Sequence, residues 1–346
     1  MAVRSLAAFA ILACTLAQAQ PAPPSNDAAA AFAAWRTAFR ERAIASGHSP
    51  SAVDAILDAA SYRPDVVHED RFQYEAIAPL DKFFADVTAG PTIADGRTAL
   101  ARNQAIFTAV AERYEVDAYP ILGIWANESR YGKLIRPYPI AASLATLASD
   151  KRRAAYFENE LLSFIHMQEL GVPGLPQMTG SWAGALGQPQ FEPSDYLQYA
   201  VDFDGDGKRD IWTDDSDVIA SVANFLHRNG WKLGLRWGTE VKAPAAVLSD
   251  EGLKRAPGAN CKARDALSKE LPISEWRRLG IEGIDAAWPD ATDASLLVDR
   301  HLSGREFLVT HNFETILRYN CSLQYALTAG LVSDLVLAPD KLAIRR

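Results

Sequence analysis

The sequence lacks a concentrated basic tract. Its 35 Lys and Arg residues are outnumbered by 43 Asp and Glu, which gives a formal net charge of −8. An acidic chain of this kind argues against nucleic acid as a partner. The chain also lacks internal repeats and, after residue 16, any apolar run that could span a membrane, which argues against a repeat array and a multi-span membrane protein. What remains is an ordinary globular composition, 49% hydrophobic over 346 residues, which fits one large domain or two to three small ones.

The first 19 residues have the composition of a secretory signal peptide. Arg4 supplies a positive start, residues 5–16 are apolar but too short to span as a mature helix, and residues 17–19 form an Ala-Gln-Ala cleavage site. We therefore expect an exported, periplasmic protein in which the Pro- and Ala-rich residues 20–27 form a disordered leader. An outer-membrane lipoprotein lipidated at Cys14 is the alternative, which is disfavoured because Leu12 is unusual in such a signal.

Cysteine is scarce, with three residues in the whole chain. Cleavage after residue 19 removes Cys14 and leaves Cys261 and Cys321. Two cysteines in an exported protein predict a single disulfide between them. Two separate buried thiols are the alternative.

Residues 117–132 predict a short buried helix. Asp117 can cap it, and Pro120 suits its first turn because the missing N–H would be unpaired there. Gly132 supplies a stop. The helix is therefore expected to end shortly before residue 132.

The buried face of this predicted helix carries a carboxylate. Ile121, Ile124 and Trp125 have the spacing of an apolar stripe, and the next position on that stripe is Glu128. Burial disfavours the charged form of a carboxyl group and raises its pKa, which is what a general acid needs near neutral pH. The alternative is that Glu128 pairs with Arg130 or another base at the surface.

Residues 179–194 are rich in glycine, in neutral polar side chains and in aromatic rings. Glycine lets a backbone approach a ligand closely, while the polar groups offer uncharged donors and acceptors. The mixture suits a hydroxyl-rich and amide-rich ligand such as an N-acetylated sugar chain, and a purely structural loop is the alternative. The residues concerned are Gly180, Gly184, Gly187, Ser181, Gln188, Gln190, Trp182 and Phe191.

Residues 202–213 match the start of an EF-hand loop, with Gly207 at the sharp turn. Position twelve should be a bidentate Glu but is Thr213, so a later carboxylate (Asp214, Asp215 or Asp217) would have to complete a calcium shell. An acidic turn without metal is the alternative. The remaining ligand positions are Asp202, Asp204, Asp206, Lys208 through its carbonyl, and Asp210.

Periodicity elsewhere predicts a mainly helical protein with a small β insertion. A basic triplet precedes the long helix 154–170, where the helix dipole disfavours positive charge, so Arg152 and Arg153 are candidates for contact with an anion; a solvated face is the alternative. The insertion, about 236–309, is rich in Pro, Gly and β-branched residues, with strands expected at 240–247 and 295–297. Other helices are expected at 28–46, 50–60, 79–87, 97–114, 217–229, 313–319 and 322–337.

Six motifs in this order resemble the lytic murein transglycosylase B family, from roughly residue 28 to 338. The family implies a lysozyme-like helical core, about 95–235 and 310–338, with an N-terminal helical lobe, within one catalytic region over 28–346. The motifs are Ile121-Leu-Gly-Ile-Trp-Ala-Asn-Glu-Ser-Arg-Tyr-Gly132, residues 144–157, Gly180-Ser-Trp-Ala-Gly-Ala-Leu-Gly-x-x-Gln-Phe-x-Pro-Ser194, Tyr199-Ala-Val-Asp-Phe-Asp-Gly-Asp-Gly207, Ser221-Val-Ala-Asn-Phe225 with Gly230-Trp231, and Arg318-Tyr-Asn320 with Tyr325-Ala-Leu.

The resemblance implies cleavage of the β-1,4 bond between N-acetylmuramic acid and N-acetylglucosamine in peptidoglycan, leaving a 1,6-anhydro ring. Glu128 matches the single catalytic acid/base, and Arg152 with Arg153 matches a pair that contacts the peptide stem. Phe225 stands where the family has a cleft Tyr, so stacking survives but a hydroxyl is lost. The calcium loop matches too, with Asp217 as its last ligand after a one-residue insertion. Matches to glycan-cleft positions are Ser181, Gln190, Tyr319, Asn320 and Tyr325.

Two other functions compete with this expectation. A muramidase that hydrolyses the same bond would need a second carboxylate, for which Glu192 and Asp195 are the candidates. A non-catalytic, calcium-stabilised peptidoglycan-binding protein would need no acid at all. In every case we expect a monomer without an organic cofactor. Its expected partners are glycan strands and peptide stems, with proteins of cell-wall synthesis or division as further candidates.

Overall fold

The structure is a computed structural model that describes residues 26–72, 78–134, 136–257 and 261–337. The predicted signal peptide, Cys14 and most of the predicted leader lie outside the described residues. The leader was expected to reach residue 27, but the first helix already begins at Asn26. Within the described residues, no helix is both long enough and apolar enough to cross a membrane.

Three helices form the N-terminal part: α1 (Asn26–Ala45), α2 (Pro50–Ala59) and α3 (Pro64–Phe72). The start of α2 follows directly from its sequence. Ser49 is the N-cap, and its side chain accepts a hydrogen bond from the backbone N–H of Ala52 at 3.3 Å. Pro50 follows at the first helical position, where its missing donor costs nothing. A cap of this type contributes about 1 kcal/mol.

The core that follows is helical, and its apolar side chains form one continuous cluster with those of the N-terminal helices. The helix that carries Glu128, α7 (Ala118–Ser129), packs against the last helix, α15 (Leu323–Leu337). This contact is the most extensive between any two of the described elements. The helices are α4 (Leu80–Val87), α5 (Thr92–Arg102), α6 (Gln104–Tyr114), α7 (Ala118–Ser129), α8 (Ile140–Ser149), α9 (Ala154–Glu169), α10 (Pro193–Tyr199), α11 (Asp215–Arg228), α14 (His311–Tyr319) and α15 (Leu323–Leu337).

The close crossing of α7 and α15 depends on Gly123. A Cβ atom at this position would lie 2.0 Å from the backbone carbonyl oxygen of Ala329, so no other residue fits without moving a helix. Helix α7 ends at Ser129, because Arg130 (φ 48°) and Tyr131 (φ 59°) already adopt the left-handed conformation. The stop that was expected at Gly132 therefore comes three residues earlier, just after Glu128.

One expected helix was wrong, and another helix was missed. The single helix predicted over 97–114 is two helices, α5 and α6, because the backbone turns at Asn103. The side chain of Asn103 donates to Asp215 at 2.9 Å, a contact with a residue far along the chain that periodicity cannot indicate. Helix α8 (Ile140–Ser149), which was not among the expected helices, is buried along nearly its whole length.

The β insertion forms an antiparallel four-stranded sheet. Its strands lie in the order β3 (Gly238–Val241), β6 (Glu306–Val309), β5 (Asp293–Leu297) and β4 (Leu271–Pro272). The second strand expected here, over 295–297, lies within β5. The first ends at Val241 and does not continue to residue 247, because Pro244 is the N-cap of a short helix. The elements are β3 (Gly238–Val241), α12 (Ala245–Leu248), β4 (Leu271–Pro272), α13 (Ile273–Arg278), β5 (Asp293–Leu297) and β6 (Glu306–Val309); β1 (Tyr138–Pro139) and β2 (Thr179–Gly180) pair separately in the helical core.

The insertion has a small hydrophobic core of its own, in which Trp276 and Trp288 are buried. It is joined to the helical core by a disulfide between Cys261 and Cys321, whose Cα atoms lie 5.6 Å apart. Cys321 lies in the short link between α14 and α15. The disulfide therefore holds one edge of the insertion against the segment that connects the last two core helices.

Candidate active site

A cleft of about 1020 Å³ opens between the helical core and the β insertion. The C-terminal end of α7, the glycine-rich loop, the start of α9 and the link between α14 and α15 form its walls on the core side. The insertion contributes the segments around Lys262 and Arg300. Six of the residues predicted to be catalytic or substrate-binding line this cleft: Glu128, Arg153, Ser181, Gln190, Tyr319 and Asn320.

Glu128 is half-buried in this cleft, in the last turn of α7. The hydroxyl of Tyr325 donates to Glu128 Oε1 at 2.6 Å, and Asn127 donates to the backbone carbonyl of Tyr325 at 3.0 Å. Burial, and then the charge of Glu128, raise the pKa of Tyr325 well above its usual range, so the hydroxyl keeps its proton. Arg130, the surface partner considered for Glu128, donates instead to the carbonyl of Asp86 at 2.7 Å.

Aromatic rings pack against Tyr325, the residue that donates to the Glu128 carboxyl group. The rings of Tyr319 and Tyr325 are stacked with centroids 6.4 Å apart, and the Tyr319 hydroxyl donates to the carbonyl of Pro189 at 2.6 Å. Phe225 packs edge-on against Tyr319 at 4.6 Å and is buried. It is not among the residues that line the cleft, which corrects the expectation that Phe225 stacks on the glycan directly. Its contact with the site passes through Tyr319.

The glycine-rich loop is held in shape by its own side chains. Ser181 Oγ accepts hydrogen bonds from the backbone N–H groups of Ala183 and Ala185, at 3.2 and 3.0 Å. Gln190 adopts a left-handed backbone conformation (φ 52°) and its side chain donates to the carbonyl of Gly187 at 2.7 Å. Both residues nevertheless line the cleft, so their remaining polar atoms are available to a ligand.

Gln188 was expected to offer polar atoms to a ligand, but its side chain is hydrogen-bonded within the protein. Its Oε1 accepts from Trp125 Nε1 at 2.8 Å, and its Nε2 donates to the carbonyl of Trp212 at 3.0 Å. Gly187 lies so close to this segment that a Cβ atom would be 2.6 Å from the carbonyl oxygen of Ile211. The acidic loop, the glycine-rich loop and the helix that carries Glu128 are thus connected through one amide side chain.

Arg152 and Arg153 are both held by Asp70, a residue with 2% of its surface exposed. Arg152 Nε lies 2.7 Å from Asp70 Oδ2, and Arg153 forms a hydrogen bond with Asp70 Oδ1. Although burial by itself raises the pKa of Asp70, the two guanidinium groups outweigh it and lower this pKa below its usual value. Arg153 also lines the cleft and Arg152 does not, so the two arginines are not equivalent toward a ligand.

The cleft also contains acidic side chains, which lie near Arg153. Glu160 is buried and accepts hydrogen bonds from the backbone N–H and the hydroxyl of Ser194, at 2.9 and 2.8 Å. Burial, followed by the charge of Glu160, raises the pKa of Glu192 well above its usual value and that of Asp195 to about 6. For both candidate second carboxylates, burial and the charge of Glu160 therefore disfavour the ionised form.

Three of the predicted calcium ligands come together. Carboxylate oxygens of Asp202, Asp204 and Asp217 all lie within 4.8 Å of one another. Asp217 is 1% exposed and accepts from the backbone N–H groups of Phe203 and Asp210, both at 2.7 Å. Three converging carboxylates repel one another, and oxygen ligands of this kind are those that Ca²⁺ prefers.

The other acidic residues of this loop have different roles. Asp206 is paired with Lys208 of the same loop at 3.2 Å, and Asp210 accepts backbone N–H groups of Trp212 and Thr213. Asp214 caps α11. Of the three candidates for the last calcium ligand, the structure therefore brings Asp217 to the cluster. The helix cap explains why the loop contains one more acidic residue than the metal needs.

Several cleft residues were missed by the sequence reasoning. Arg136 lies between two of the motifs, Tyr156 lies within the motif 144–157, and Lys262 and Arg300 reach the cleft from the insertion. None belongs to a pattern with a chemical signature, because an isolated Arg, Lys or Tyr is normally a surface residue. Only the three-dimensional arrangement identifies them.

The fold and this cleft define a class: a mainly helical, lysozyme-like core with a small sheet, in which one half-buried Glu faces a polar and aromatic groove. The family model described as Transglycosylase SLT domain matches residues 31–334. The chain belongs to this family, which confirms the resemblance inferred from the motifs.

Relatives of known activity and structure are similar to most of the chain. Membrane-bound lytic murein transglycosylase B of Escherichia coli (strain K12) is 33% identical over 225 residues, which are 64% of this chain and 58% of that protein. SltB3 of Pseudomonas aeruginosa in complex with NAG-NAM-pentapeptide is 38% identical with a TM-score of 0.78, over 89% of this chain and 80% of SltB3. The Escherichia coli lytic transglycosylase Slt35 in complex with calcium is 27% identical with a TM-score of 0.72, over 88% and 93% of the two chains.

Proposed function

We propose that the protein is a periplasmic lytic transglycosylase that cleaves the β-1,4 bond between N-acetylmuramic acid and N-acetylglucosamine in peptidoglycan. The observation that carries this proposal is the Tyr325–Glu128 hydrogen bond of 2.6 Å, which places a supported carboxyl group in a cleft lined by neutral donors and aromatic rings. The activity of the Escherichia coli relative, and the glycopeptide bound by SltB3, agree with this cleft chemistry.

In the proposed mechanism Glu128 acts first as an acid and then as a base. It protonates the glycosidic oxygen, and C1 of the muramic residue develops oxocarbenium character, assisted by the neighbouring N-acetyl oxygen. The ionised Glu128 then takes the proton of the C6 hydroxyl, which attacks C1 and closes the 1,6-anhydro ring. The nucleophile is tethered to the substrate, so no second catalytic carboxylate and no bound water are required. Throughout, the Tyr325 hydroxyl stabilises the carboxylate form by donating to it.

The state of Glu192 favours this mechanism over hydrolysis. A hydrolase needs its second carboxylate ionised, either as a base for water or as a nucleophile. Burial and the charge of Glu160 raise the pKa of Glu192, which disfavours the ionised form that either role requires. Asp195 is then the candidate that remains for a muramidase, and substitution of Asp195 by Asn tests it.

We further propose that Ca²⁺ binds the acidic loop as a structural ion. Asp202, Asp204 and Asp217 would hold it, and Asp206, Asp210 or the Lys208 carbonyl would have to move to complete the shell. The ion would supply no chemistry in the cleft, but it would neutralise three carboxylates and keep the loop folded. Because Gln188 connects this loop to the glycine-rich loop, loss of the ion would also loosen one wall of the cleft.

Location and partners follow from the same proposal. A signal peptide ending at residue 19 would deliver the enzyme to the periplasm, with peptidoglycan strands and stems as its substrate. Intact-mass measurement of the mature protein decides between this cleavage and lipidation at Cys14. Interaction with proteins of cell-wall synthesis or division, and a monomeric state, remain predictions.

The deciding experiment is mass spectrometry of the fragments that the mature protein releases from purified sacculi. Wild type is expected to release anhydro-muropeptides, whereas Glu128→Gln should release none and still bind sacculi. The exposed Glu41→Gln in α1 serves as a control with the same chemical change and should behave as wild type.

Other outcomes would contradict the proposal in different ways. Reducing ends that disappear in Asp195→Asn would identify a muramidase. Binding without any released fragment, unchanged in Glu128→Gln, would identify a non-catalytic peptidoglycan-binding protein.

A further inference from the structure

Arg136 is a cation of the cleft with no counterion among the residues that the structure describes. It is half-buried and lines the same cavity as Glu128. Its Nη2 donates to the backbone carbonyl of Glu128 at 2.9 Å, while its Nε is buried without a hydrogen-bond partner. Among the residues that the structure describes, no carboxylate forms an ion pair with it. A buried donor without an acceptor is costly, and a ligand could satisfy it.

The other arginine of the core-side wall is already paired. Arg153 lines the cleft, but its guanidinium group is bound to the buried Asp70 and lies over the ring of Phe157, although its Nε, like that of Arg136, is buried without a hydrogen-bond partner. Arg152 is bound to the same carboxylate and does not line the cavity, and Lys262 and Arg300 line it from the insertion. On the core side, next to Glu128, an anion therefore meets Arg136, which forms no ion pair with another described residue.

We propose that Arg136 binds the lactyl carboxylate of the muramic acid residue whose bond is cleaved, and that the enzyme consequently prefers glycan strands without peptide stems. This inference rests on the proposed transglycosylase function. The hydrogen bond that Arg136 donates to the backbone carbonyl of Glu128 keeps the guanidinium group next to the residue that acts as the acid. The lactyl group is on the same sugar ring as the reacting C1, which makes it the acidic group of the substrate nearest the reaction.

The charge of that group depends on the stem. A muramic residue with a stem presents a neutral lactyl amide, whereas removal of the stem leaves a free carboxylate. Guanidinium–carboxylate hydrogen bonds are charge-assisted and often bidentate, and are roughly twice as strong as bonds between neutral groups. Arg136 thus distinguishes the two forms by charge, without any contact to the rest of the stem.

A purely structural role for Arg136 predicts a different result. A cation that binds a carbonyl at the C-terminus of α7 stabilises the helix through its dipole, whatever the substrate carries. Arg130 offers a matched control. It sits at the same helix end, donates to a backbone carbonyl (that of Asp86) and does not line the cleft.

The test compares two stem-free glycan strands: one with free lactyl carboxylates, and one in which each carboxylate is converted to a methylamide. A strand with intact stems is assayed beside them. Wild type should process the carboxylate strand with a kcat/KM roughly 10- to 100-fold higher than the methylamide strand, the range of a charge-assisted hydrogen bond. In Arg136→Gln this preference should disappear through loss of activity on the carboxylate strand alone. Arg130→Gln should keep the preference.

Three results would overturn the inference. Equal activity of wild type on both strands would show that the lactyl charge is not recognised. An equal loss on both strands in Arg136→Gln, with a lower melting temperature, would assign Arg136 a structural role. An Arg136-dependent preference for strands with intact stems would move the recognised anion to the stem. If wild type released no anhydro products from any strand, the proposed function itself would fail, which is a separate outcome.

Discussion

Replacement of Tyr325 by Phe tests the central contact of the cleft. The change removes one hydroxyl and keeps the ring that stacks on Tyr319. The lost hydrogen bond, 2.6 Å to Glu128 Oε1, is made to a group that becomes charged during the reaction. A hydrogen bond to a charged group contributes about 1.5–3 kcal/mol, which corresponds to a rate loss of roughly 10- to 150-fold.

The loss should appear in kcat and leave KM nearly unchanged, because the carboxylate is stabilised after proton donation and not when substrate binds. The assay is the initial rate of anhydro-muropeptide release across a range of glycan concentrations. Tyr199→Phe is the control, since Tyr199 is a buried tyrosine behind the cleft, where its ring packs on Phe225. A Tyr325→Phe enzyme within twofold of wild type would refute the reasoning. An equal loss in Tyr199→Phe would attribute the effect to packing.

Three further predictions concern stability. Gly123→Ala places a Cβ atom 2.0 Å from the carbonyl of Ala329, and overpacking of this kind should lower the free energy of unfolding by about 1–3 kcal/mol, measured by urea denaturation. Unchanged stability would mean that α7 and α15 can separate freely. Asp70 has a pKa lowered by its two arginines, so its contribution to stability is present above the pKa of the unfolded state, about 3.9, and is lost as the pH falls through the lower folded value. Asp70→Asn should therefore lose stability at pH 7 and show a weaker further loss below pH 4 than wild type, and parallel curves for the two proteins would contradict this pairing. Removal of Ca²⁺ by chelation should lower the melting temperature, since a ligand at a hundred times its Kd stabilises the folded state by about 2.7 kcal/mol. Asp217→Asn should abolish this calcium dependence, and a response to Ca²⁺ that persists in the variant would exclude the site.

Local chemistry made part of the structure predictable. Ser49 and Pro50 predict where α2 begins, because an N-cap residue and a proline in the first turn both act on backbone groups at the start of the helix. The repeated acidic positions of residues 202–210 indicate a metal loop for the same reason, since the ligands of such a loop come from one short segment. Glu128 was identified from the spacing of its own helix together with the order of the motifs.

Contacts between distant parts of the chain were not predictable in this way. Arg152 and Arg153 look like a free basic pair, but their partner, Asp70, lies more than 80 residues earlier. Phe225 has the aromatic character of a cleft residue, yet the packing of α11 puts it behind Tyr319. In both cases the residue type allowed the expected role, and the contacts that the side chain makes come from a distant element that no local pattern indicates.

The sequence by itself determined the family, the helical class, the candidate acid and the acidic loop, because each of these depends on spacing within a segment or on the order of segments. Only the tertiary structure decided what surrounds the candidate acid. It brought Tyr325 to Glu128 across 197 residues, left Arg136 in the cleft without a counterion among the described residues, and raised the pKa values of Glu192 and Asp195. Those properties depend on burial and on charges from distant elements, which no local pattern in a single sequence records.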